Sequence, residues 1–411
     1  MYDETTIGAR LRILRKWRGM TLEQLGGQAD LSVSFLSMAE RGLRALDRRS
    51  HIAALAAALR VSETDLVGGP HLTADTEQSD PHSVIPGLRI AVLTPITRPN
   101  IEQARPVSVL ASEMTNTIEP LHKACKYSAE GRILPDLIEE LTVHAAAPAD
   151  EATHRLALST LVEAYHRTAA IARALNYHDL ALLAASKAEQ AAEILDDPVA
   201  RGKAAFTAVQ NGPKTGTVSG LSAWDRAYTS VRRAIDEMSP YISRPDGIEV
   251  LGMLALNAAL CAAALNDGQG AQEWLGHAAE LATQAPDDPV GNWGAFSATN
   301  VAIWRVGVNV ELGEGGNRVL ELGRTVQVAK LDTYRARKSA FFAEMGRGLA
   351  RESKTRQSAL TWLRQAEALA PQRVRNDMKV RESVAVMLEQ VKTAAVGREL
   401  RGMAARLGIP H

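Results

Sequence analysis

The sequence predicts an all-α protein with more than one folded unit. At 411 residues the chain is longer than one small core requires, so two or more units are expected. Aromatic residues make up only 4% of the chain, whereas Ala and Leu are abundant, which favours helices packed at close range. The apolar-polar alternation of strands is nearly absent. We therefore expect a small N-terminal helical domain followed by a long array of helices.

The composition also limits where and how the protein works. Lys plus Arg and Asp plus Glu number 47 each, so the whole chain carries no net charge that would attract polyanions. Cys125 and Cys261 are interpreted as small buried residues, which fits a reducing compartment. Neither a signal peptide nor an apolar stretch of membrane-spanning length is recognised, so the sequence predicts a soluble cytoplasmic protein with no membrane partner.

The stretch 21–49 is expected to contain two short helices joined by a tight turn. Thr21 can cap the first helix, and Gln24 completes a capping box with it. Asp30 is expected in the turn, because this residue type tolerates a left-handed backbone. Ser32 can cap the second helix. A helix, a tight turn and a second helix form the unit that places its second helix in the DNA major groove.

The packing of these two helices follows from the same stretch. The second helix is expected over 33–41, with Leu36 and Ala39 inward and Gly42 as its C-terminal stop. Gly26 on the first helix leaves room for another helix to cross closely. Further on, Ser50 and Ser62 are expected to cap two closing helices.

Residues 7–67 resemble a phage-repressor-type helix-turn-helix domain of the XRE/Cro class. The resemblance rests on IGARLRILRKWRGMTLEQL for the first two helices, SVSFLSMAERG for the recognition helix and HIAALAAALRVSETDLVG for the closing helices. It implies a small five-helix lambda-repressor-like domain, assigned to residues 1–69. The family often has Gly in place of Asp30, and Gln and Arg in place of Val33 and Met38, so its base specificity is not transferred to this chain.

Outward positions of the recognition helix are expected to meet base edges. Ser can donate to or accept from a base, and Val and Met can pack on a thymine methyl group. This surface lacks an Arg or Asn fork, so DNA shape is expected to contribute to readout. Neighbouring arginines are expected to anchor phosphates, with a solubilising surface as the alternative, and Glu40 is expected to pair with an arginine. The predicted DNA-contacting residues are Arg10, Arg15, Thr21, Ser32, Val33, Ser34, Ser37, Met38, Arg41, Arg44, Arg48 and Arg49.

Residues 70–82 are interpreted as a polar linker, and residues 83–411 as the helical array. Two segments of the array overlay with the same pattern of large and small residues. The positions are Leu254, Ala258, Cys261, Ala271, Leu275 and Ala278 in one segment, and Phe342, Gly346, Leu349, Ala359, Leu363 and Ala366 in the other. The pattern resembles the tetratricopeptide repeat, in which stacked helix pairs bury a continuous core. We therefore expect a tetratricopeptide-like α-superhelix that binds a ligand and dimerises.

Four stretches, LPDLIEEL, NYHDLALLAASKAEQAAEILDDP, ATNVAIWRVGVNVELGE and QAEALAPQRVRNDMKVRE, resemble the C-terminal region of actinobacterial regulators. Those proteins carry the XRE domain ahead of a tetratricopeptide-like array, so the resemblance covers nearly the whole chain. By analogy with peptide-sensing regulators of similar architecture, Asn257 and Asn300 are expected to bind the ligand, together with Trp304. Burial in the core is the alternative for each. These regulators often have His where this chain has Trp304.

Enzymatic activity is not predicted. The sequence contains neither a Gly-rich phosphate loop ending in Gly-Lys-Ser/Thr nor a Gly-x-Ser-x-Gly elbow, and His122 and Cys125 lack a second pair of metal ligands. No catalytic residue, metal site or cofactor is therefore expected. The sequence predicts a transcriptional regulator that binds double-stranded DNA as a homodimer and responds to a peptide, a small molecule or a protein. A protein-interaction adaptor and an antitoxin-like regulator remain as alternatives.

Overall fold

A computed structural model of the chain describes residues 6–61, 63–68, 80–93, 104–214, 216–390 and 394–409. These residues are almost entirely helical, which confirms the predicted all-α class. Those up to residue 68 form α1 (Ile7–Trp17), α2 (Leu22–Ala29), α3 (Val33–Glu40), α4 (Arg49–Leu59) and α5 (Glu63–Val67). The inward faces of these helices meet in one small core around Leu11, Leu25, Leu36 and Leu55, all fully buried. Because the sequence predicts that this unit binds DNA, we call it the DNA-binding domain.

The local signals in the helix-turn-helix stretch act as predicted. The Thr21 side chain accepts the N–H of Gln24 at 3.1 Å, and the Gln24 side chain accepts the N–H of Thr21 at 2.9 Å. Asp30 ends α2 in a left-handed conformation, with φ 53° and ψ 46°. Ser32 caps α3, and Gly42 follows that helix with a φ of 69°. Side-chain caps and left-handed positions therefore fix where each helix begins and ends.

A close approach explains the glycine in α2. A Cβ atom on Gly26 would lie 2.6 Å from the carbonyl oxygen of Leu31 and 3.5 Å from the Leu36 side chain of α3. A Cβ on Gly8 of α1 would similarly collide with the carbonyl oxygen of Ala39. Glycine at these two positions lets α1 and α2 pack directly against α3 and so holds the recognition helix in place.

A connecting region leads from the DNA-binding domain to the array. It contains a 3₁₀ turn (Asp80–Val84), α6 (Ile85–Leu93), α7 (Val107–Glu113), a π-helical turn (Met114–Ile118), α8 (Glu119–Lys123) and α9 (Tyr127–Ala146). Most of the predicted linker, residues 70–79, lies outside the described residues. Residues 80–82 do not fit a solvated linker, because Pro81 and His82 are buried and Nδ1 of His82 lies 3.1 Å from Oη of Tyr177.

Six helical hairpins follow in the described residues, and the first helix of each packs on the first helix of the next. They are α10 (Glu151–Ala174) with α11 (His178–Leu195), α12 (Pro198–Asn211) with α13 (Ala223–Met238), α14 (Gly247–Ala264) with α15 (Gly268–Ala282), α16 (Ala298–Glu311) with α17 (Gly316–Gly323), α18 (Arg335–Ala350) with α19 (Arg356–Leu369), and α21 (Met378–Gln390) with α22 (Ala394–Arg406). The short α20 (Pro371–Asn376) joins the last two hairpins. A two-residue antiparallel pair, β1 (Thr217–Val218) with β2 (Leu221–Ser222), interrupts the second hairpin.

The two segments that overlay in sequence correspond to α14–α15 and α18–α19. All twelve aligned positions are buried, as the repeat pattern predicts. A Cβ on Gly346 would lie 2.5 Å from the Leu363 side chain, so the small residue allows α18 and α19 to approach closely. The alternation of large and small residues thus packs the two helices of each hairpin together.

The array curls until its fifth hairpin contacts its beginning. Tyr334, Ala336 and Ala370 belong to the same hydrophobic core as buried residues of α9, α10 and α11. The ammonium group of Lys123 donates to the carbonyl oxygen of Val290 at 2.6 Å, so a loop from the middle of the array also meets α8. The first helices of the hairpins therefore line an interior, and parts of the middle and fifth hairpins contact the beginning of the array there.

Two composition-based expectations can be compared with the fold. Cys125 and Cys261 are both free and buried, as predicted. In length and composition α14 could cross a membrane, but 83% of it is buried within the described fold. Its apolar character therefore suits a core helix of the array.

Candidate nucleic-acid interface

The outer face of α3 presents the side chains predicted to read bases. Ser32, Val33 and Ser34 are exposed, whereas Ser37 and Met38 are half-buried. Leu36 and Ala39 on the opposite side are fully buried in the domain core, which fixes this orientation of the helix. Thr21 is also exposed, at the start of α2. This surface offers hydroxyl groups and small apolar groups to a DNA groove.

The guanidinium groups of Arg10 and Arg15 are held inside the DNA-binding domain. Nε and Nη2 of Arg10 donate to the carbonyl oxygens of Leu66 at 2.8 Å and Val67 at 2.6 Å, so this residue fastens α5 to α1. Arg15 binds the Glu40 carboxylate through two parallel bonds of 2.5 and 2.7 Å, which raise its pKa. Phosphate contact by these two arginines is therefore not favoured in this conformation, whereas Glu40 pairs with an arginine as expected.

Arg41 and Arg44 remain exposed beside the recognition helix. Nε of Arg41 donates to the carbonyl oxygen of Ser37 at 3.1 Å, and Arg44 lies over the Phe35 ring, 5.3 Å from its centroid. Neither forms an ion pair with a described carboxylate. Of the four arginines that follow α3, these two are thus the exposed ones.

Arg48 and Arg49 contact the array instead of solvent. Nε of Arg48 donates to the carbonyl oxygen of Glu311 at 2.8 Å, and its Nη2 donates to Oδ1 of Asn266 at 2.8 Å. Nη1 of Arg49 donates to the fully buried Glu311 carboxylate at 2.6 Å. Because the repeat domain supplies acceptors for both arginines, phosphate contact by Arg48 and Arg49 is not favoured in this conformation and stays a prediction.

Carboxylates of the array also cap helices of the DNA-binding domain. Glu311 accepts the backbone N–H of Arg49 at the start of α4. Glu382 accepts the N–H of Ile7 at the start of α1, at 2.8 Å, and the N–H of Leu46 at 3.2 Å. A carboxylate at a helix N-terminus satisfies free N–H groups and interacts favourably with the helix dipole.

This tertiary cap explains why the predicted cap at Ser50 is wrong. Helix α4 begins at Arg49, two residues before the start that a cap at Ser50 predicts. Its own N-cap residue, Arg48, makes no side-chain cap bond. Ser50 is buried inside the first turn, where its hydroxyl has no hydrogen-bond partner among the described residues. The cap expected from Ser62 lies outside the described residues.

A buried ion pair joins the two parts of the chain near the same edge. Asp47 is 3% exposed and accepts from Nη2 of Arg347 and Nη2 of Arg351, each at 3.1 Å. Nη2 of Arg347 also donates to the backbone carbonyl of Asp47 at 2.8 Å. Burial alone would raise the pKa of Asp47, but the charges of Arg351 and Arg347 outweigh it and hold the pKa below its ordinary value.

We call the contacts of Asp47, Arg48 and Arg49 with the array, together with those of Glu382, the docking interface. Its three carboxylates are all nearly or fully buried, and burial raises the pKa of Glu382 to about 7 despite two N–H bonds that lower it. The interface leaves the outer face of α3 exposed. The array therefore contacts the domain at the start of α1 and along the segment between α3 and α4.

Comparison with known proteins agrees with this geometry. Residues 6–67 match the family model of a helix-turn-helix domain. The chain therefore carries an N-terminal DNA-binding domain of the helix-turn-helix type. No curated protein and no solved structure matches the chain. The match ends where the described DNA-binding domain ends, so it does not extend to the helical array.

The asparagines predicted to bind a ligand are enclosed by protein. Asn257 is fully buried, accepts from the Gln210 side chain and donates to the carbonyl oxygen of Phe206 at 3.3 Å. Asn300 is also fully buried, and its amide group donates to the carbonyl oxygen of Gly294 at 3.4 Å. Both side chains thus lie in the core, which is the alternative given from the sequence, and this conformation does not favour a role for them at a ligand surface.

The Trp304 side chain packs half-buried against the core of the central hairpins, so it does not form an open ligand surface with these asparagines. Its Nε1 is buried without a hydrogen-bond acceptor among the described residues.

A polar stripe on α10 faces the interior of the array and was missed from the sequence. Glu163 accepts from Lys203 at 2.8 Å and from Nε1 of Trp293 at 3.1 Å, and His166 lies 2.6 Å from the Thr207 hydroxyl. The stripe continues along the helix through Arg167 and Arg173. Polar side chains at helical spacing within an otherwise apolar helix were the available signal, but the sequence did not show that they face inward.

Proposed function

We propose that the protein is a non-enzymatic, cytoplasmic transcriptional regulator of XRE type that reads an operator with α3. The proposal is carried by one observation: the outer face of α3 is exposed, although the array contacts the segment that follows this helix. Base-edge contacts would come from Ser34 and Ser37, with Val33 and Met38 against thymine methyl groups. Arg41 and Arg44 would position the domain on phosphates.

We further propose that the tetratricopeptide-like array senses a ligand and mediates homodimerisation. Two recognition helices would then meet half-sites about 34 Å apart, one turn of DNA. A ligand in the array would alter the docking interface and so change how the two domains are presented. It can do so only to the extent that it binds the two arrangements with different affinities.

Selection of bound duplexes from a random pool tests the operator-reading role, and sedimentation of the full chain tests the dimer. We expect an inverted repeat in the selected DNA and twice the chain mass of 44.3 kDa. Sequence-indifferent binding would contradict operator reading. It would favour an adaptor or antitoxin-like protein, whose array binds a protein partner. A monomer bound to single half-sites would contradict the dimer.

Replacing Arg41 and Arg44 together by Gln is expected to weaken DNA binding roughly tenfold or more, since each loses a charge-assisted phosphate contact. The slope of log affinity against log salt should fall in magnitude by about 2, because two fewer counterions are released. Binding titrations across salt measure both effects. The matched control, R226Q/R232Q, removes the same charge from exposed positions of α13 and should leave the slope unchanged. Equal losses in both variants would contradict the assigned contacts.

A further inference from the structure

Three arginines meet in the interior of the array, where its fifth hairpin returns to its first. Arg173 lies in the last turn of α10, Arg337 in the first turn of α18, and Arg373 in α20. All three side chains are half-buried. Helix α20 packs directly on α10. Ala172, Ala336 and Ala370, which lie beside or near the three arginines in the sequence, belong to one hydrophobic core. We call the three arginines the arginine cluster.

The three guanidinium groups are close enough to repel one another. Burial, together with the positive charges of Arg373 and Arg337, lowers the pKa of Arg173 to about 10. Burial and the charge of Arg373 likewise lower the pKa of Arg337. Like charges held together in a partly desolvated site are costly unless an opposite charge accompanies them.

No described carboxylate forms an ion pair with a member of the arginine cluster, and the carboxylates on adjacent surfaces have other partners: Glu119 binds Arg167, and Glu163 binds Lys203. Burial alone would lower the pKa of Arg373, but Tyr127, Cys125 and the charge of Asp377 outweigh it and leave this pKa raised. The described residues therefore offset the charge of Arg373, whereas the pKa values of Arg173 and Arg337 stay lowered.

One guanidinium donor of the arginine cluster has no acceptor among the described residues. Nη2 of Arg337 donates to the carbonyl oxygen of Gly294 at 3.1 Å, and Arg373 donates to the Tyr127 hydroxyl. Nε of Arg173 is buried and has no hydrogen-bond acceptor among the described residues. A buried guanidinium N–H without an acceptor is rare, because leaving it unpaired costs free energy. The described residues therefore leave this donor available to an acceptor on a ligand.

We propose that the arginine cluster binds a small molecule through a phosphate group. Planar guanidinium forks match the oxygens of phosphate and can bind them through paired hydrogen bonds. A phosphate monoester carries about −1.5 to −2 charges at neutral pH and three acceptor oxygens, so it offsets more of three positive charges than a single carboxylate does. This inference names a ligand class for the sensor role proposed above, and it relies on that role only for its effect on DNA binding.

Calorimetric titration of the full chain with pyrophosphate, in a phosphate-free chloride buffer, tests the site. We expect saturable binding at one site per chain, weakened roughly ten- to a hundredfold in R173Q and in R373Q by loss of a charged hydrogen bond. The control R226Q, on the exposed face of α13, should bind as the unmodified protein does. R41Q/R44Q should also bind normally, because its changes lie on the DNA-contacting surface.

Each alternative outcome overturns the proposal. Absence of saturable binding, or full binding by both R173Q and R373Q, would remove the arginine cluster as the site. Loss of binding in R41Q/R44Q would move the anion to the DNA-contacting surface. Tighter binding of citrate than of pyrophosphate would replace phosphate by carboxylate as the ligand class. Circular dichroism checks folding, and R337Q provides a third independent change should either single variant not fold.

DNA binding measured without pyrophosphate separates this proposal from the proposed function. A chain that selects an operator but does not bind pyrophosphate would retain the regulator role and lose the phosphate site. A chain that binds pyrophosphate through the arginine cluster but selects no operator would retain the phosphate site and lose the regulator role.

Discussion

Replacing Asp47 by Ala is expected to lower the free energy of unfolding by about 3 kcal/mol, which is the range for removing one partner of a buried ion pair. The substitution leaves the side chain of Arg347, which is 1% exposed, without the carboxylate that faces it. Arg347 keeps Glu344 and the backbone carbonyl of residue 47 as acceptors, which places the loss at the lower end of that range. Urea denaturation followed by circular dichroism measures the change.

The exposed pair of Asp80 with Arg132 provides the control for this prediction. Its atoms lie 2.7 Å apart, a shorter distance than in the Asp47 pairs, but its side chains are 44% and 61% exposed. Solvent screens such a pair, so D80A should cost less than about 1 kcal/mol. If D47A cost no more than D80A, the docking interface would be solvated and the two domains would separate readily. The comparison therefore tests burial and not the length of the hydrogen bonds.

The features that sequence analysis predicted are those decided within a few residues. The capping box of Thr21 with Gln24 and the left-handed turn at Asp30 depend on neighbours along the chain, and both form as expected. The repeat pattern around Leu254 and Phe342 also depends on spacing within one hairpin. Local hydrogen bonding and helical periodicity suffice for such predictions.

The features that sequence analysis did not predict depend on residues far apart in the chain. Ser50 satisfies the local rule for a cap, but Glu311, which lies 262 residues from Arg49, accepts the N–H at the start of α4 instead. The same carboxylate binds the guanidinium of Arg49, which a local pattern of basic residues had assigned to DNA. A sequence shows the donors of such contacts, but only the tertiary fold shows which acceptor reaches them.

The direction in which a helix faces explains the other differences. Asn257 was placed on a ligand surface by analogy, but α14 is covered by protein along most of its length, so its amide bonds within the core. Arg173, at the end of an amphipathic helix, had no feature in the sequence that distinguished it from a solvated arginine. Its significance comes from Arg337 and Arg373, which the curled array brings next to it.

Replacing Glu382 by Gln is expected to raise the free energy of unfolding by roughly 3 kcal/mol at pH 8 and to change it little near pH 4.5. Burial raises the pKa of this carboxyl to about 7 in the folded protein, from an ordinary value of 4.5. Between these values the folded state binds a proton that the unfolded state has lost, so the contribution of Glu382 to stability falls as the pH rises through this window. Above pH 7 the folded chain contains a buried carboxylate, which Gln replaces with a neutral group that still accepts an N–H.

The difference in the free energy of unfolding between E382Q and the unmodified protein isolates Glu382, because every other titratable group is present in both. Urea denaturation at several pH values should therefore show a difference that grows from pH 4.5 to pH 8. The control E389Q changes an exposed carboxylate two turns further along α21 and should stay within about 0.5 kcal/mol at every pH. A difference for E382Q that is constant with pH would contradict the raised pKa. A growing difference would mean that the contact between α1 and the array weakens as the solution becomes more alkaline, since Glu382 joins those two elements.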